Sequence, residues 1–249
     1  MNWKSKFFSF IAVFLICFTA YLVLKLGVSK RDHVFYDFGA EIPSQYDLLG
    51  IDISHHQGVI NWEQLSNMNI QKDSIEFIYI KATEGTSFLD QELSNNIQGA
   101  NEFSIPAGFY HFFRPKESAI EQASFFIAST EMHDYQLKPV LDVEVTDGIT
   151  KESLQDSLIV FLNKIEVITG ERPLIYTYSN FFIENIIEAS WSDKELFWIA
   201  QYGDNCPLMQ RENVLMWQFS DEGTVSGVNE KVDLNKAKKE FFEQALIKR

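Results

Sequence analysis

The sequence predicts an α/β protein built as an irregular β/α barrel, with five strand-helix units followed by three further strands. Two observations support this. Apolar runs of strand length alternate with stretches of helix length over residues 48–189, an order typical of parallel strands covered by helices. Three more strand-like runs follow, without full helices between them. Eight strands are enough to close a barrel, and 249 residues are enough for one large domain.

The first 31 residues form a separate segment. Residues 7–24 hold eighteen positions without a charge, and basic residues flank them on both sides. This length suits a single transmembrane helix better than a signal-peptide core, and the cleavage pattern after it is poor. We therefore expect an uncleaved membrane anchor over residues 1–31, a stem over residues 32–47 and the barrel over residues 48–249. The flanking charges leave the orientation open.

Composition excludes nucleic acid as an expected partner. The chain carries 21 basic and 35 acidic residues, a net charge of -14, and its body has no basic run to neutralise phosphates. Aromatic residues make up 14% of the chain, which fits a Phe-rich core or a cleft for uncharged rings such as sugars. Cys17 and Cys206 lie on opposite sides of the predicted membrane boundary, so no internal disulfide is expected.

The elements follow in order. Residues 48–54 form the first strand, with Asp52 and Ser54 on one face, and a short helix starts near Asn61. Strands are predicted next at 75–83, 106–113, 138–145, 173–179, 196–202, 214–220 and 230–234. Helices are predicted at 89–103, 117–130, 151–168 and 180–189, the third of them ended by Gly170. The C-terminal residues 236–249 are expected to form a solvated helix.

Two carboxylates two residues apart mark the fourth strand. In KPVLDVEV, residues 138–145, a strand points Asp142 and Glu144 to the same face. Burying both charges is costly unless they are paired or functional. A like charge nearby raises the pKa of one member, so that one carboxyl stays protonated while the other is ionised. The pair is equipped for general acid chemistry; a strand cap, or an ion pair with a lysine such as Lys81, is the structural alternative.

Other strands also end in polar or aromatic residues. In parallel α/β architecture the carboxyl ends of the strands meet on one side, so these side chains are expected to share one acidic, aromatic-walled cleft. Besides the acid pair they are Asp52, Lys81, Tyr110, His111, Tyr176, Tyr178, Gln201, Gln218 and Asp233.

Eight motifs, in order along the chain, resemble the glycoside hydrolase family 25 muramidases, lysozymes that cut bacterial peptidoglycan. They are GIDISHHQG (50–58), FIYIKATEG (77–85), GFYHFF (108–113), PVLDVE (139–144), PLIYTYS (173–179), FWIAQYG (197–203), MWQFS (216–220) and VDLN (232–235). The resemblance implies the same barrel of five strand-helix units and three further strands. It makes residues 48–249 a glycoside hydrolase catalytic domain.

The resemblance also implies roles for individual residues. Glu144 would be the general acid that protonates the glycosidic oxygen, Asp142 its catalytic partner, and Asp52 a further catalytic acid. The substrate-binding positions would be Asp233, Tyr110, Tyr178, Lys81, Gln201 and Trp217, the aromatic ones as walls for sugar rings. No metal or cofactor is implied. The expected partner is the glycan strand of peptidoglycan, cut by a monomeric domain that faces outward, periplasmic or extracellular.

Spacing does not fix the mechanism. Positions i and i+2 of a strand allow a retaining nucleophile, an inverting water, or attack by the substrate's own 2-acetamido group with Asp142 as the partner, and we prefer the third route. Two other functions are alternatives to hydrolysis. An anchored, non-catalytic peptidoglycan-binding module would keep the cleft without cutting. A metal-dependent polysaccharide deacetylase needs a His/Asp cluster, but His55 and His56 are adjacent and no His-x-x-x-His pair occurs.

Overall fold

Eight strands close into a barrel in the computed structural model, which describes residues 33–35, 41–43, 45–70, 73–203 and 207–247. The barrel strands, numbered among all strands of the chain, are β3 (Tyr46–Ile53), β6 (Phe77–Glu84), β8 (Ala107–Phe112), β9 (Val140–Asp142), β10 (Leu174–Tyr178), β11 (Phe197–Ala200), β12 (Val214–Gly223) and β13 (Val232–Lys238). Each strand in this order pairs with the next, beginning with β3 and β6. The pairing of β13 with β3 closes the circle. The predicted eight-stranded barrel is confirmed.

Seven barrel strands run parallel and one runs against them. Strand β13 is antiparallel to both of its neighbours, β12 and β3. The remaining short strands pair outside the circle or extend it: β1 (His33–Phe35) with β2 (Glu41–Pro43), β4 (Asn69–Ile70) with β5 (Asp73–Ser74), and β7 (Phe88–Leu89) with β6. Because the seven strands share a direction, their carboxyl ends form one open face of the barrel.

Helices follow the first five barrel strands, as the alternation predicts. They are α1 (Trp62–Ser66), α2 (Leu93–Glu102), α3 (Ala119–Thr130), α4 (Lys151–Thr169) and α5 (Ser179–Phe181), and α6 (Phe241–Ala245) lies near the C-terminus. Side chains of Asn61, Ser118 and Thr150 cap α1, α3 and α4 at their N-termini. Gly170 ends α4 in the left-handed conformation at φ 78°, where glycine has no Cβ penalty.

Three elements differ from their predicted form. The fourth strand, predicted over residues 138–145, ends at Asp142, so Glu144 follows the strand instead of lying within it. The fifth helix is short, and a π-helical turn over Phe182–Ile186 continues it. The predicted C-terminal helix begins only at Phe241, because residues 236–238 belong to β13 and pair with β3. Lys236 and Lys238 are buried there, and each ammonium group donates a hydrogen bond to a backbone carbonyl, of Asp47 and Arg211 respectively. The lysines therefore suggest a solvated helix in the sequence, whereas in the structure their ammonium groups are hydrogen-bonded within a buried strand.

An aromatic layer fills the barrel interior below its open face. Trp198 packs against Tyr176 and Tyr79, with ring centroids 4.7 and 5.3 Å apart. Phe77 lies beneath this layer. From the opposite end of the barrel, Phe241 of α6 packs on Phe77, with the ring centroids 4.8 Å apart. This packing closes one end of the barrel and leaves the carboxyl ends of the strands as the accessible one.

No helix within the described residues is long and apolar enough to cross a bilayer. The predicted anchor at residues 7–24 and both cysteines lie outside the described residues. Strand β3 begins at Tyr46, so the last residues of the predicted stem already belong to the barrel.

Candidate active site

The open end of the barrel holds a cavity of about 130 Å³ into which four carboxyl groups project. Strand β3 supplies one, β9 and the residue two positions after it supply two, and β13 supplies the fourth. The cavity is lined by Asp52, Lys81, Tyr110, Phe112, Val140, Asp142, Glu144, Tyr176, Trp198 and Asp233. The structure thus brings together the four acids, Lys81 and Tyr110 that the sequence nominates.

Asp52 and Asp233 form one acid pair. They stand directly opposite each other in the β3–β13 ladder, and their side chains share a hydrogen bond. Burial raises the pKa of Asp52 to about 6, although hydrogen bonds from Asn235 and Gln218 oppose the rise. Burial, with the neighbouring charge of Asp52, raises the pKa of Asp233 to about 9. At neutral pH the shared proton therefore resides mainly on Asp233, and Asp52 is the ionised member.

Asp142 and Glu144 form the second pair, also joined by a hydrogen bond. Asp142 is almost fully buried, whereas Glu144 is half-buried. Burial and the charge of Glu144 raise the pKa of Asp142 well above its ordinary value. Burial also raises the pKa of Glu144, while the hydrogen bond from Asp142 and the charge of Lys81 oppose that rise. Two carboxyls in this arrangement share one proton at neutral pH, which makes them a proton donor and acceptor pair.

Two amide side chains orient Asp52. Gln218 Nε2 and Asn235 Nδ2 donate to Asp52 Oδ2 over 3.0 and 2.7 Å. The hydroxyls of Tyr176 and Tyr202 donate to Gln218 Oε1, so the amide must turn its nitrogen toward Asp52. No role was assigned to Asn235 from the sequence, yet its position two residues after Asp233 in one strand places both on the same face.

Asn235 is oriented in the same way by an indole inside the barrel. Trp198 Nε1 donates to Asn235 Oδ1 over 2.9 Å, which directs the Asn235 amide nitrogen to the carboxylate. Trp198 also lines the cavity, although the sequence nominated Trp217 instead. A signal in the sequence could have identified Trp198. Alternate residues of β11 share a face, so Trp198 lies on the same interior face as Ala200, two positions later.

Lys81 has a different partner from the one expected. Its ammonium group pairs with Glu84 Oε2 at 2.7 Å, and Arg114 Nε donates to the other oxygen of Glu84 at 3.0 Å. The ammonium also lies 5.2 Å from the ring centre of Phe112. Lys81 therefore acts on the acids across the cavity as a nearby positive charge, while Glu84 holds it in place.

Three nominated residues lie outside the cavity lining. Tyr178, at the end of β10, is 39% exposed, and Gln201 accepts a hydrogen bond from the Ser179 hydroxyl. Trp217 is 1% exposed and packs against Tyr46, with its Nε1 donating to the Gln201 carbonyl at 2.8 Å. Because Trp217 faces away from the barrel interior, it offers no surface to a sugar ring, contrary to the expectation from the motif.

The comparison with known families agrees with this geometry. The family model described as glycosyl hydrolases family 25 matches residues 51–228, which is most of the chain. The chain belongs to glycosyl hydrolase family 25. It is therefore a glycoside hydrolase, and the muramidase family predicted from the ordered motifs is confirmed.

Several relatives of this family 25 chain are bacterial proteins. The uncharacterized protein YegX of Escherichia coli is 33% identical over 198 residues, covering 80% of this chain and 72% of that protein. The autolytic lysozyme of Clostridium acetobutylicum is 31% identical over 80% of this chain, which spans 57% of that relative. A family 25 glycosyl hydrolase structure from Bacillus anthracis superposes with TM-score 0.70 at 28% identity, covering 86% of this chain and 98% of that one.

Two histidines of the family 25 barrel, His55 and His111, have side-chain hydrogen-bond partners. His111 is buried between Thr83 Oγ1 at 2.7 Å and Gln122 Oε1 at 3.1 Å, and burial lowers its pKa to about 4. His55 Nδ1 contacts Asp90 Oδ2 at 2.7 Å. Among the described residues, no three His, Cys, Asp or Glu side chains are arranged to hold a metal ion. The deacetylase hypothesis thus lacks a ligand cluster in this part of the chain.

Replacing Asp233 with Asn is expected to stabilise the family 25 barrel at neutral pH. The pKa of Asp233 is raised from 3.8 to about 9 on folding, so the native state keeps a proton that the unfolded state releases. That group's contribution is fully present below about pH 4 and is lost as the pH rises toward 9. Asn cannot ionise but can still donate to Asp52. We expect the free energy of unfolding to rise by on the order of 1 kcal/mol at pH 7.

Thermal unfolding between pH 4.5 and 8.5 measures this effect. The stability gap between variant and parent should be small at pH 4.5 and widen as the pH rises. Asp193→Asn is the matched control, since the Asp193 side chain is 86% exposed. A gap that does not change with pH would refute the proton-sharing arrangement of Asp52 and Asp233.

Proposed function

We propose that the chain hydrolyses the β-1,4 bond between N-acetylmuramic acid and N-acetylglucosamine in bacterial peptidoglycan, with Glu144 as the general acid. The observation that carries the proposal is the hydrogen-bonded pair of Asp142 and Glu144 inside the cavity of a family 25 barrel. Glu144 is the more accessible member, so it is the one that can reach a glycosidic oxygen. Lysozymes among the relatives support the substrate class.

The Asp142 side chain suits a substrate-assisted route. Its Oδ1 is buried and has no hydrogen-bond partner among the described residues, so it can accept the N–H of a substrate acetamido group. The acetamido oxygen then attacks the anomeric carbon while the glycosidic C–O bond breaks. Asp142, which holds the pair's proton in the free site, passes it to Glu144 through their hydrogen bond as Glu144 protonates the leaving oxygen, and the resulting Asp142 carboxylate stabilises the positive oxazolinium ring. Water, deprotonated by Glu144, opens that ring and leaves the configuration retained.

Proton NMR of the first product formed tests this route. A retained anomer and binding of an N-acetylthiazoline analogue against Asp142 are expected. An inverted anomer would refute the route while leaving hydrolysis itself intact.

Asp52 supports the same step from β3, on another side of the cavity. It is the ionised member of its pair, and Gln218 and Asn235 fix its orientation. A fixed negative charge at the side of the cavity stabilises the positive charge that develops at the anomeric carbon. Asp233 keeps the proton that this arrangement requires.

Mass spectrometry of products from defined peptidoglycan tests the bond cut. A muramic acid at the new reducing end is expected, and a glucosamine at that end would contradict the assignment. A turbidity assay on purified cell walls separates hydrolysis from the alternative, an anchored module that binds peptidoglycan without cutting it. Loss of turbidity supports the enzyme, and unchanged turbidity with bound protein supports the module.

Chelation is expected to leave activity unchanged. The proposed steps use only carboxyl groups and the substrate's acetamido group, so no step draws on a metal ion. Turnover on purified cell walls should be equal with and without EDTA, provided that the walls are dialysed first. Loss of turnover on chelation, restored by a divalent cation, would favour the metal-dependent alternative instead.

We also propose that residues 7–24 anchor the domain in a membrane, with the barrel facing outward as a monomer in the periplasm or outside the cell. In support of this, strand β3 begins at Tyr46, at the end of the barrel opposite the carboxyl cavity. An anchor preceding Tyr46 would therefore leave the cavity facing away from the bilayer. Extraction of the full chain by detergent but not by high salt tests the anchor, and light scattering of the extracted chain tests the monomer.

A further inference from the structure

A groove runs along the flank of the barrel, apart from the carboxyl cavity. It consists of two adjoining depressions, of about 600 and 230 Å³, which share Val59, Ile60 and Trp62. The larger one extends toward Phe103 and the loop that carries Gly227. The smaller one lies over α2 and is lined further by Glu92, Asn95, Asn96, Gln98, Gly99 and Glu102. We call the two depressions together the flank groove.

A buried donor without a partner lines the flank groove. Asn96 is 2% exposed, and its Nδ2 makes no hydrogen bond to any described residue. A buried N–H group left unpaired is costly, and native proteins rarely leave one without a partner. An acceptor that reaches the floor of the groove would satisfy the Asn96 amide.

Trp62 supplies a flat apolar surface beside that donor. Its indole lies directly on the backbone of Gly99, where any Cβ would collide with the indole ring. Val59, at 82% exposure, extends the apolar surface outward. An indole face next to amide and carboxylate groups matches the two sides of a sugar ring, whose C–H face packs on aromatics and whose hydroxyls need hydrogen bonds.

The charge of the flank groove selects an uncharged ligand. Among its described lining residues, the ionisable ones are Glu63, Glu92 and Glu102, and neither Lys nor Arg occurs. Carboxylates without a cation repel phosphates and other anions. Amide side chains of Asn95 and Gln98, both exposed, instead offer donors and acceptors to a neutral polyol.

We propose that the flank groove is a second glycan-binding site. It binds an uncharged N-acetylhexosamine segment of the glycan substrate while another segment of the same polymer is cleaved in the carboxyl cavity. The identity of that polymer rests on the proposed function. The chain leaves β3 at Ile53 on the rim of the cavity and reaches Val59 six positions later. The His55–Asp90 pair fastens the intervening turn to the segment that precedes α2. A glycan chain bound in the flank groove therefore lies close to the carboxyl cavity.

Binding in an inactive background tests the site without using catalysis. In the full chain carrying Glu144→Gln, we would measure retention on purified peptidoglycan and calorimetric titration with tetra-N-acetylchitotetraose. Trp62→Leu should weaken retention by about tenfold and remove one binding site from the titration. Asn96→Leu, which keeps the branching and the number of heavy atoms of Asn, should weaken it by about fivefold, since it loses one hydrogen bond. Trp191→Leu is the matched control, because Trp191 is likewise half-buried against the same core and is absent from the groove lining.

A further readout separates a binding role from a structural one. With Glu144 intact, both groove variants should raise KM for polymeric peptidoglycan and leave kcat on a short soluble oligosaccharide unchanged. Retention and site number equal to those of the parent in both variants would overturn the groove proposal, whatever the enzyme cuts. If Trp62→Leu fails to fold, Asn96→Leu decides the matter alone. Absence of cleavage by the parent would instead overturn the proposed function, and the titration result would stand.

Discussion

Glu144→Gln will lower turnover on purified peptidoglycan by on the order of a hundredfold or more. Gln keeps the shape of the side chain and its contact with Asp142 but has no proton to give to the glycosidic oxygen. Release of reducing ends under substrate saturation measures the effect. Binding should persist, so retention on cell walls serves as an internal check that the barrel is folded.

Glu188→Gln is the control for this prediction. The Glu188 side chain is 79% exposed on the outer surface and pairs with Lys151. The turnover of Glu188→Gln should therefore equal that of the parent. Parent-like turnover in Glu144→Gln itself would refute the assignment of Glu144 and would direct attention to Asp142 as the proton donor.

Asp142→Asn will also lower turnover strongly, by on the order of a hundredfold, because the variant cannot pass a proton to Glu144 and so cannot leave negative charge beside the developing oxazolinium. Its stability should move the other way. The pKa of Asp142 is raised by burial, so the native state keeps a proton that the unfolded state releases at neutral pH, and removing that group relieves the cost. Single-turnover rates and thermal unfolding at pH 7 measure the two effects together.

The opposite signs are what identify a functional carboxyl. Asp193→Asn, on an exposed side chain, should change neither quantity. A fall in both activity and stability for Asp142→Asn would mean that Asp142 holds the barrel together, and the catalytic assignment would then fail.

The sequence predicted the barrel and its acids because both depend on local pattern. Alternation of strand and helix runs fixes the architecture, and the carboxyl ends of parallel strands must converge. The pairing of Asp52 with Asp233 goes beyond local pattern, since it depends on the register between the first and last barrel strands. Barrel closure was predicted, but the register was not.

Misplaced residues share one physical cause: the sequence does not reveal which face of a strand points inward. Trp198 and Trp217 each lie in an apolar strand, yet only Trp198 reaches the cavity. The partner that a charged side chain selects was equally hidden. Lys81 is held by Glu84 at the end of its own strand, a contact that competes with the acids across the cavity.

Entry of the chain at the closed end gives the barrel a mechanical direction. Strand β3 runs from Tyr46 to Ile53, roughly 23 Å at 3.3 Å per residue, with β6 on one side and β13 on the other. A pull on the residues before Tyr46, against a polymer gripped at the open end, acts along this strand. Its hydrogen bonds then share the load in shear, rather than opening one after another. With residues 7–24 as the proposed anchor, the domain would therefore bear tension between that anchor and the proposed substrate.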